Sequence, residues 1–150
     1  MTFRFVDELL TAHEAGEVRQ LSSLDMRLLG FARGVAVYEM PVRADISDPA
    51  GNVGNGVLAA LAEAAMAAAA TTTVPDEAGE AVVLTRELRA RFRRQVTADA
   101  GATLRAEAIV VRTDEETVDV EAVILCEGEP VATFEASCRR GLSRQQIQAA

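Results

Sequence analysis

The sequence predicts an α+β domain in which a curved antiparallel sheet wraps one long central helix, and three observations carry that prediction. The segment GVLAALAEAAMAAAATT, from Gly56 to Thr72, has the length and alanine content of a buried helix. Four segments beyond residue 80 alternate apolar and polar residues with a period of two. Two shorter strand-like runs precede the helix. Two strands, one apolar helix and four strands form a single core when the sheet covers the helix.

The elements are taken in chain order. FRFVDELLTAHEAGEVRQ (3–20) reads as a short amphipathic helix with Phe5, Leu9 and Leu10 facing inward, so residues 1–20 are assigned an N-terminal helix. DMRLLGFA and GVAVYEMPVRA read as two strands around a turn at Arg33–Gly34. DISDPAGNVGNG is dense in Asp, Pro, Gly and Asn, which marks a loop. The central helix is assigned to 56–73, with Asn55 as its N-cap, the amide oxygen accepting from orphan backbone N–H groups. A helix apolar all round is expected to be surrounded by protein.

After Pro75–Gly79 the period changes. In AVVLTRELRARF, Leu88, Ala90 and Phe92 alternate with Glu87, Arg89 and Arg91. The inward sets of the next three strands are Leu104, Ala106, Ala108 and Val110; then Val118, Val120, Ala122, Ile124 and Cys126; then Ala132, Phe134, Ala136 and Cys138. QVTADAG, RTDEET and CEGEP supply the turns, and short connections predict that these four strands form an antiparallel meander. Residues 141–150 are read as a tail, and the whole of 1–150 as one domain.

Composition narrows the function. Of 150 residues 49% are hydrophobic, enough for one continuous core, yet only 4% are aromatic, so that core is built from Val, Leu, Ala and Ile. The formal net charge of −8, with Arg as the sole basic residue type beside one His, argues against nucleic acid as a partner. MTFRFVDELL lacks a cationic stretch followed by an apolar one, so no signal peptide is read, and a cytoplasmic location is expected. The 57–74 stretch is alanine-rich and carries a central Glu, which argues against a membrane span. Cys126 and Cys138 flank the EGEP turn out of register with one another, so two free thiols are expected rather than a disulfide. With His13 the only histidine, no metal cluster and no Ser-His-Asp arrangement is visible.

One residue stands apart. Glu63 is the only charged side chain between Val57 and Val74, and its helix neighbours Ala59, Ala60, Met66 and Ala67 offer it no partner. A carboxylate desolvated there has the makings of a nucleophile or general base. The competing reading is that Glu63 marks the one solvent-facing stripe of its helix. RELRARFRR likewise has two readings: an anion site, or a solvated sheet face paired with the chain's many acids.

The order of elements and several short stretches together resemble the hot-dog-fold thioesterases, in particular the branch of phenylacetate-pathway (PaaI-like) and 4-hydroxybenzoyl-CoA thioesterases. That family's hallmark is a loop ending His-Gly-Gly and a helix with an acid nine residues after the His. Here the stretch reads Gly54-Asn55-Gly56-Val57-Leu58-Ala59-Ala60-Leu61-Ala62-Glu63. LTRELRARFRRQV is similar to the family strand Thr-x-x-Leu-x-x-x-Phe-x-Arg-Pro through Thr85, Leu88, Phe92 and Arg94, with Gln95 where Pro is usual. GATLRAEAIVVR and EGEPVATFEASC resemble their counterparts, and the likeness spans roughly residues 20 to 140.

The resemblance implies hydrolysis of an acyl-CoA or acyl-carrier thioester with no cofactor, in a homodimer that can pair again into a homotetramer, with sites across the subunit interface. It implies that Glu63 attacks the thioester carbonyl or activates water, and that the Thr85 hydroxyl of the same subunit assists. The other subunit's Asn55 amide would polarise the thioester oxygen. It also implies substrate contacts at Gly54, Gly56 and Arg94. Three departures stand out: Gly54 replaces the hallmark His, Asn55 replaces the first hallmark Gly, and Asp48 stands where Asn or Gln orients water or substrate. Asp48 with Glu63 would make an acid pair in which one pKa is raised. The departures also define an alternative, a non-catalytic hot-dog protein that binds an acyl or aromatic small molecule.

Overall fold

The computed structural model describes residues 24–74, 81–99 and 101–143, with backbone only at 81, 82 and 141–143. The N-terminal helix assigned to 1–20, His13 within it, and residues 144–150 of the assigned tail lie outside the described residues.

Six strands form one sheet: β1 (Arg27–Ala32), β2 (Val35–Pro41), β3 (Ala81–Phe92), β4 (Thr103–Thr113), β5 (Thr117–Cys126) and β6 (Glu129–Ser143). The helix α1 spans Asn55–Thr71 and contacts all six, chiefly β2, β4 and β5. Leu58, Leu61, Ala65, Met66, Ala68 and Ala69 of α1 are buried against Tyr38, Met40, Leu104, Ile124 and Phe134 of the sheet. The small alanines let the helix lie close to the strands, and the large core side chains come from the sheet. The period-two inward sets of β4, β5 and β6 are the residues the structure buries, apart from the partly buried Val110 and Cys126.

The sheet order is β1-β2-β4-β5-β6-β3, every neighbouring pair antiparallel. The expected four-strand meander therefore holds only for β4-β5-β6. β3 lies at the far edge beside β6, because the side of β4 it would need is taken by β2, from Val35↔Ile109 to Pro41↔Thr103. The chain leaves β2, crosses the sheet face as α1 and arrives at the opposite edge as β3. It then returns through residues 93–102, too long a connection for a hairpin.

Local chemistry explains the tight turns. Cys126 pairs with Glu129, leaving Glu127 (φ 50°) and Gly128 (φ 81°) as the two central residues of a left-handed hairpin turn. Cys126 thus faces Glu129 rather than a residue near 131, and both cysteines are free thiols. In the β1–β2 turn Gly34 has φ 75°, and its N–H donates to Thr72 Oγ1 at 2.6 Å, tying the turn to the end of α1.

Two helix expectations need correction. Gly54, not Asn55, is the N-cap: it is extended (φ −64°, ψ 147°) and its carbonyl accepts from the amides of Val57 and Leu58, so Asn55 is already helical. Nor is α1 enclosed on all sides. A single sheet covers one side of a helix, and Val57, Ala59, Ala60, Ala64 and Ala67 are left partly exposed around an exposed Glu63. Among the described residues no helix is long and apolar enough to cross a membrane, and no three His, Cys, Asp or Glu side chains gather as a metal site.

Candidate active site

Glu63 lies two turns into α1, on the stripe that the sheet does not cover. The desolvation expected of it is therefore not supplied by the described residues. Its charge is felt by Cys138 of β6, whose register partner on β3 is Thr85. Cys138 of β6 is buried, and that burial pushes its thiol above the usual range; the charges of Glu63 and then Asp119 push it further, while a hydrogen bond with Thr85 opposes them. Thr85 Oγ1 is 3.8 Å from Cys138 Sγ. Cys138 thus neighbours the strand hydroxyl and lies within range of the helix charge.

Thr85 reaches this place through a β-bulge. Thr85 pairs with Cys138 and Glu87 pairs with Ser137, so Arg86 is an extra residue on β3. Counting back by twos from Leu88 lands on Arg86, and unbroken alternation would send Thr85 to the outer face. The bulge reverses the phase and turns Thr85 toward the helix side, beside the inward-facing Cys138. Beyond the bulge, Leu88 and Phe92 face the helix side yet remain about 40% exposed, because edge strand β3 overhangs the helix. The Phe92 ring meets Phe134 edge-on, centroids 5.7 Å apart.

The remaining predicted residues gather at the other end of the sheet, around the start of α1. Asp48 folds the preceding loop: its Oδ1 accepts from the amides of Ala50 and Asn52, both at 2.9 Å, and its own N–H donates to Asn52 O at 2.7 Å. Among the described residues no hydrogen bond or ion pair joins Asp48 to Glu63. The loop leads to Gly54, which has no side-chain cap bond, and then to the exposed Asn55 and Gly56. A helix start without a side-chain cap presents its first amides outward, and such amides favour negative charge. Arg94 is exposed just past the end of β3; its N–H donates to Val131 O at 3.3 Å, and its charge lowers the Cys126 thiol, which burial raises. Arg94 and Gln95 line a cleft with Val96, Thr97, Asp99 and Cys126. The arginines of this stretch divide: Arg89, Arg91 and Arg93 line one cleft with Glu107, Glu121 and Glu135, Arg89 lying 3.6 Å from Glu135, while Arg86 sits at the bulge and Arg94 belongs to the helix-start end.

Within one chain the predicted residues fall into two separate groups. Eight residues of helix separate Asn55 from Glu63, a rise of about 12 Å, so these two groups of one chain do not meet on the same atom. Sequence reasoning did not reach Cys138 as the residue beside Thr85, because the pairing depends on the bulge. It also did not reach the role of Asn52, although Gln95 was marked as a departure and proves to be its hydrogen-bond partner at 3.2 Å.

The fold is shared with known proteins. The thioesterase superfamily profile matches residues 50–133, which include α1, all of β3 and the last part of the loop before the helix. A variant of the phenylacetic acid degradation protein PaaI from Thermus thermophilus superposes with a TM-score of 0.72 at 30% identity, covering 81% of this chain and 97% of that one. The PaaI protein of the E. coli phenylacetic acid degradation operon gives 0.75 at 24% identity over 88% and 91% of the two chains. A thioesterase from Haemophilus influenzae gives 0.75 at 18% identity over 86% and 87%, a likeness of fold. No sequence among the curated proteins matches the chain. The chain belongs to the thioesterase superfamily, adopts its hot-dog fold, and is a thioester hydrolase.

Proposed function

We propose that the chain hydrolyses an acyl thioester of coenzyme A or of an acyl-carrier protein, at a site completed by a second copy of itself. The observation that carries this reading is Thr85 beside Cys138, a thiol that feels the charge of Glu63, with the Asn55 amide about 12 Å along the helix from Glu63. Carboxylate and hydroxyl come from one chain. The oxyanion donor then comes from the helix start of the other, in a homodimer that can pair again into a tetramer.

In this reading the thioester carbonyl oxygen lies against the second copy's Asn55 amide, where the helix dipole stabilises the charge that develops on it. Glu63 either attacks the carbonyl carbon or removes a proton from an attacking water. In the first route the thiol leaves, an acyl anhydride with Glu63 forms, and water cleaves it. In the second, water adds directly and the thiol leaves from the tetrahedral adduct. Both consume one water and yield a carboxylic acid and a free thiol. Thr85 orients the water in either route. Asp48 serves through the loop it folds, Gly54 and Gly56 keep the approach to the amides open, and Arg94 meets the carrier's anionic part. The bare alanine stripe around Glu63 becomes the wall of the acyl pocket once a second copy covers it.

The test is steady-state hydrolysis across a panel of acyl-CoA thioesters. Glu63→Gln and Glu63→Ala are expected to lower kcat by at least about a hundredfold, in line with loss of a catalytic acid–base group or nucleophile. Undiminished hydrolysis by Glu63→Ala, or saturable binding of the panel with no turnover by the unaltered protein, would sink the reading. Oxygen-18 found in Glu63 after a single turnover in labelled water identifies the anhydride route with water adding at the Glu63 carbonyl, since direct addition of water places the label in the product acid alone.

A further inference from the structure

We infer that Gln95 is a positioning residue for the start of α1: by clasping Asn52 it fixes the loop that ends in the Asn55 amide, and so governs turnover without touching substrate. The inference rests on the proposed use of that amide as the oxyanion donor.

The loop and the returning connection meet in a very short stretch of sheet. Ala98 N donates to Gly51 O at 2.9 Å and Val53 N donates to Val96 O at 2.7 Å, which makes Asn52 and Thr97 an antiparallel bridge pair. Paired residues in such a bridge share a face, and Gln95, two residues before Thr97, comes out on that face as well. There Asn52 Nδ2 donates to Gln95 Oε1 at 3.2 Å. Two backbone hydrogen bonds in a row form a narrow hinge. A side-chain contact on one face of it adds a third point and resists rotation about the hinge line.

Rotation matters because the loop runs directly into the helix. Asn52 is three residues from Asn55, and between them Gly54 makes no side-chain bond to the first turn. The direction from which the chain enters the helix is therefore set upstream, at Asn52. Within the loop Asp48 shapes the turn around Gly51 (φ 82°), but these contacts lie inside the loop and move with it. The Gln95 side chain reaches the loop from the connection after β3, and so references the helix start to the strand that carries Thr85. An oxyanion donor displaced by a fraction of an ångström loses much of its effect on the transition state, whereas binding of the rest of the substrate is unaffected.

The experiment compares Gln95→Leu, Asn52→Ala, their double variant and Gln95→Glu in the full chain, by acyl-CoA kinetics and by amide hydrogen exchange over residues 51–56. Gln95→Leu and Asn52→Ala are each expected to lower kcat three- to tenfold, with KM within about twofold and little change in Tm. The double variant is expected to be no slower than the worse single one, since both remove the same contact. Gln95→Glu keeps an acceptor for Asn52 Nδ2 and is expected to retain most of the rate. Exchange at Val53 and Asn55 is expected to quicken in the Leu and Ala variants only. Unchanged kcat in both single variants, additive losses in the double one, or a Gln95→Glu protein as slow as Gln95→Leu would overturn the inference. If the unaltered protein turns over no thioester, the functional reading fails separately. The exchange data then decide the clasp alone, and equal exchange in Gln95→Leu and the unaltered protein overturns it.

Discussion

Thr85 Oγ1 sits 3.8 Å from Cys138 Sγ across a rung of the β3–β6 ladder, and Arg86, bulged out of that ladder, is what turns Thr85 toward the helix beside it. Thr85→Val is expected to cut hydrolysis about tenfold while Thr85→Ser retains most of it, the hydroxyl being the group in use. Both variants should melt within a few degrees of the unaltered protein, since the Oγ1–Sγ contact is long and weak. Deleting Arg86 should lower activity at least as far as Thr85→Val with the sheet retained, as judged by circular dichroism, because Thr85 then faces outward.

Alkaline stability reflects two buried acids. Burial raises Tyr38 from 10.0 to about 12 and also raises Cys138. A folded-state pKa above the unfolded one contributes stability that is complete below the unfolded value and lost as pH rises through the folded value. The Tyr38 contribution should fall away between pH 10 and about 12, amounting to roughly 3 kcal/mol at two pH units. Denaturant titrations of Tyr38→Phe should show a flatter decline over that window than the unaltered protein.

Acid stability has a separate local source. Backbone amides of Glu116 and Thr117 bonded to Asp114, at 3.0 and 2.8 Å, hold its carboxyl below the usual range, with Arg112 adding to the effect. The sign is opposite to that of Tyr38: this stability is present above pH 3.8 and lost as pH falls through the lower folded value. Asp114→Ala should lower Tm at pH 7, and the gap should close in thermal scans carried below pH 3.

Packing between helix and sheet makes a further prediction. Leu61 is fully buried in the centre of α1, so Leu61→Ala should cost about 2–5 kcal/mol in chemical denaturation. At the helix end, Thr72→Val removes the acceptor of the Gly34 amide in a buried turn and should cost about 1–3 kcal/mol.

How far the sequence could be read depended on the range of the interaction responsible. Periodicity is local, and it locates α1 and the six strands to within a few residues, except that β6 runs on to Ser143, through the first three residues read as tail. The partner of β3 is decided by which sheet edges remain open after β2 and β4 pair, a property of the whole chain, so the meander was overdrawn. The side chain of Asn55 suits a cap, yet the backbone of Gly54 turns a residue earlier. Glu63 was conspicuous as a lone acid among alanines, and it lies on the uncovered stripe that the competing reading described; whether a second copy covers that stripe is not written in one chain's pattern. Thr85 was found through its resemblance to a known strand, since alternation alone points it the wrong way. The Asn52–Gln95 contact joins side chains 43 positions apart, beyond any local rule.

The bulge also separates two kinds of constraint on this stretch of chain. Arg86 is exposed, and its identity is open to wide substitution. Its presence as one spacer between Thr85 and Glu87 is not, because parity along the strand decides which side of the sheet receives the hydroxyl. In any redesign of this protein, counting residues there matters more than choosing them.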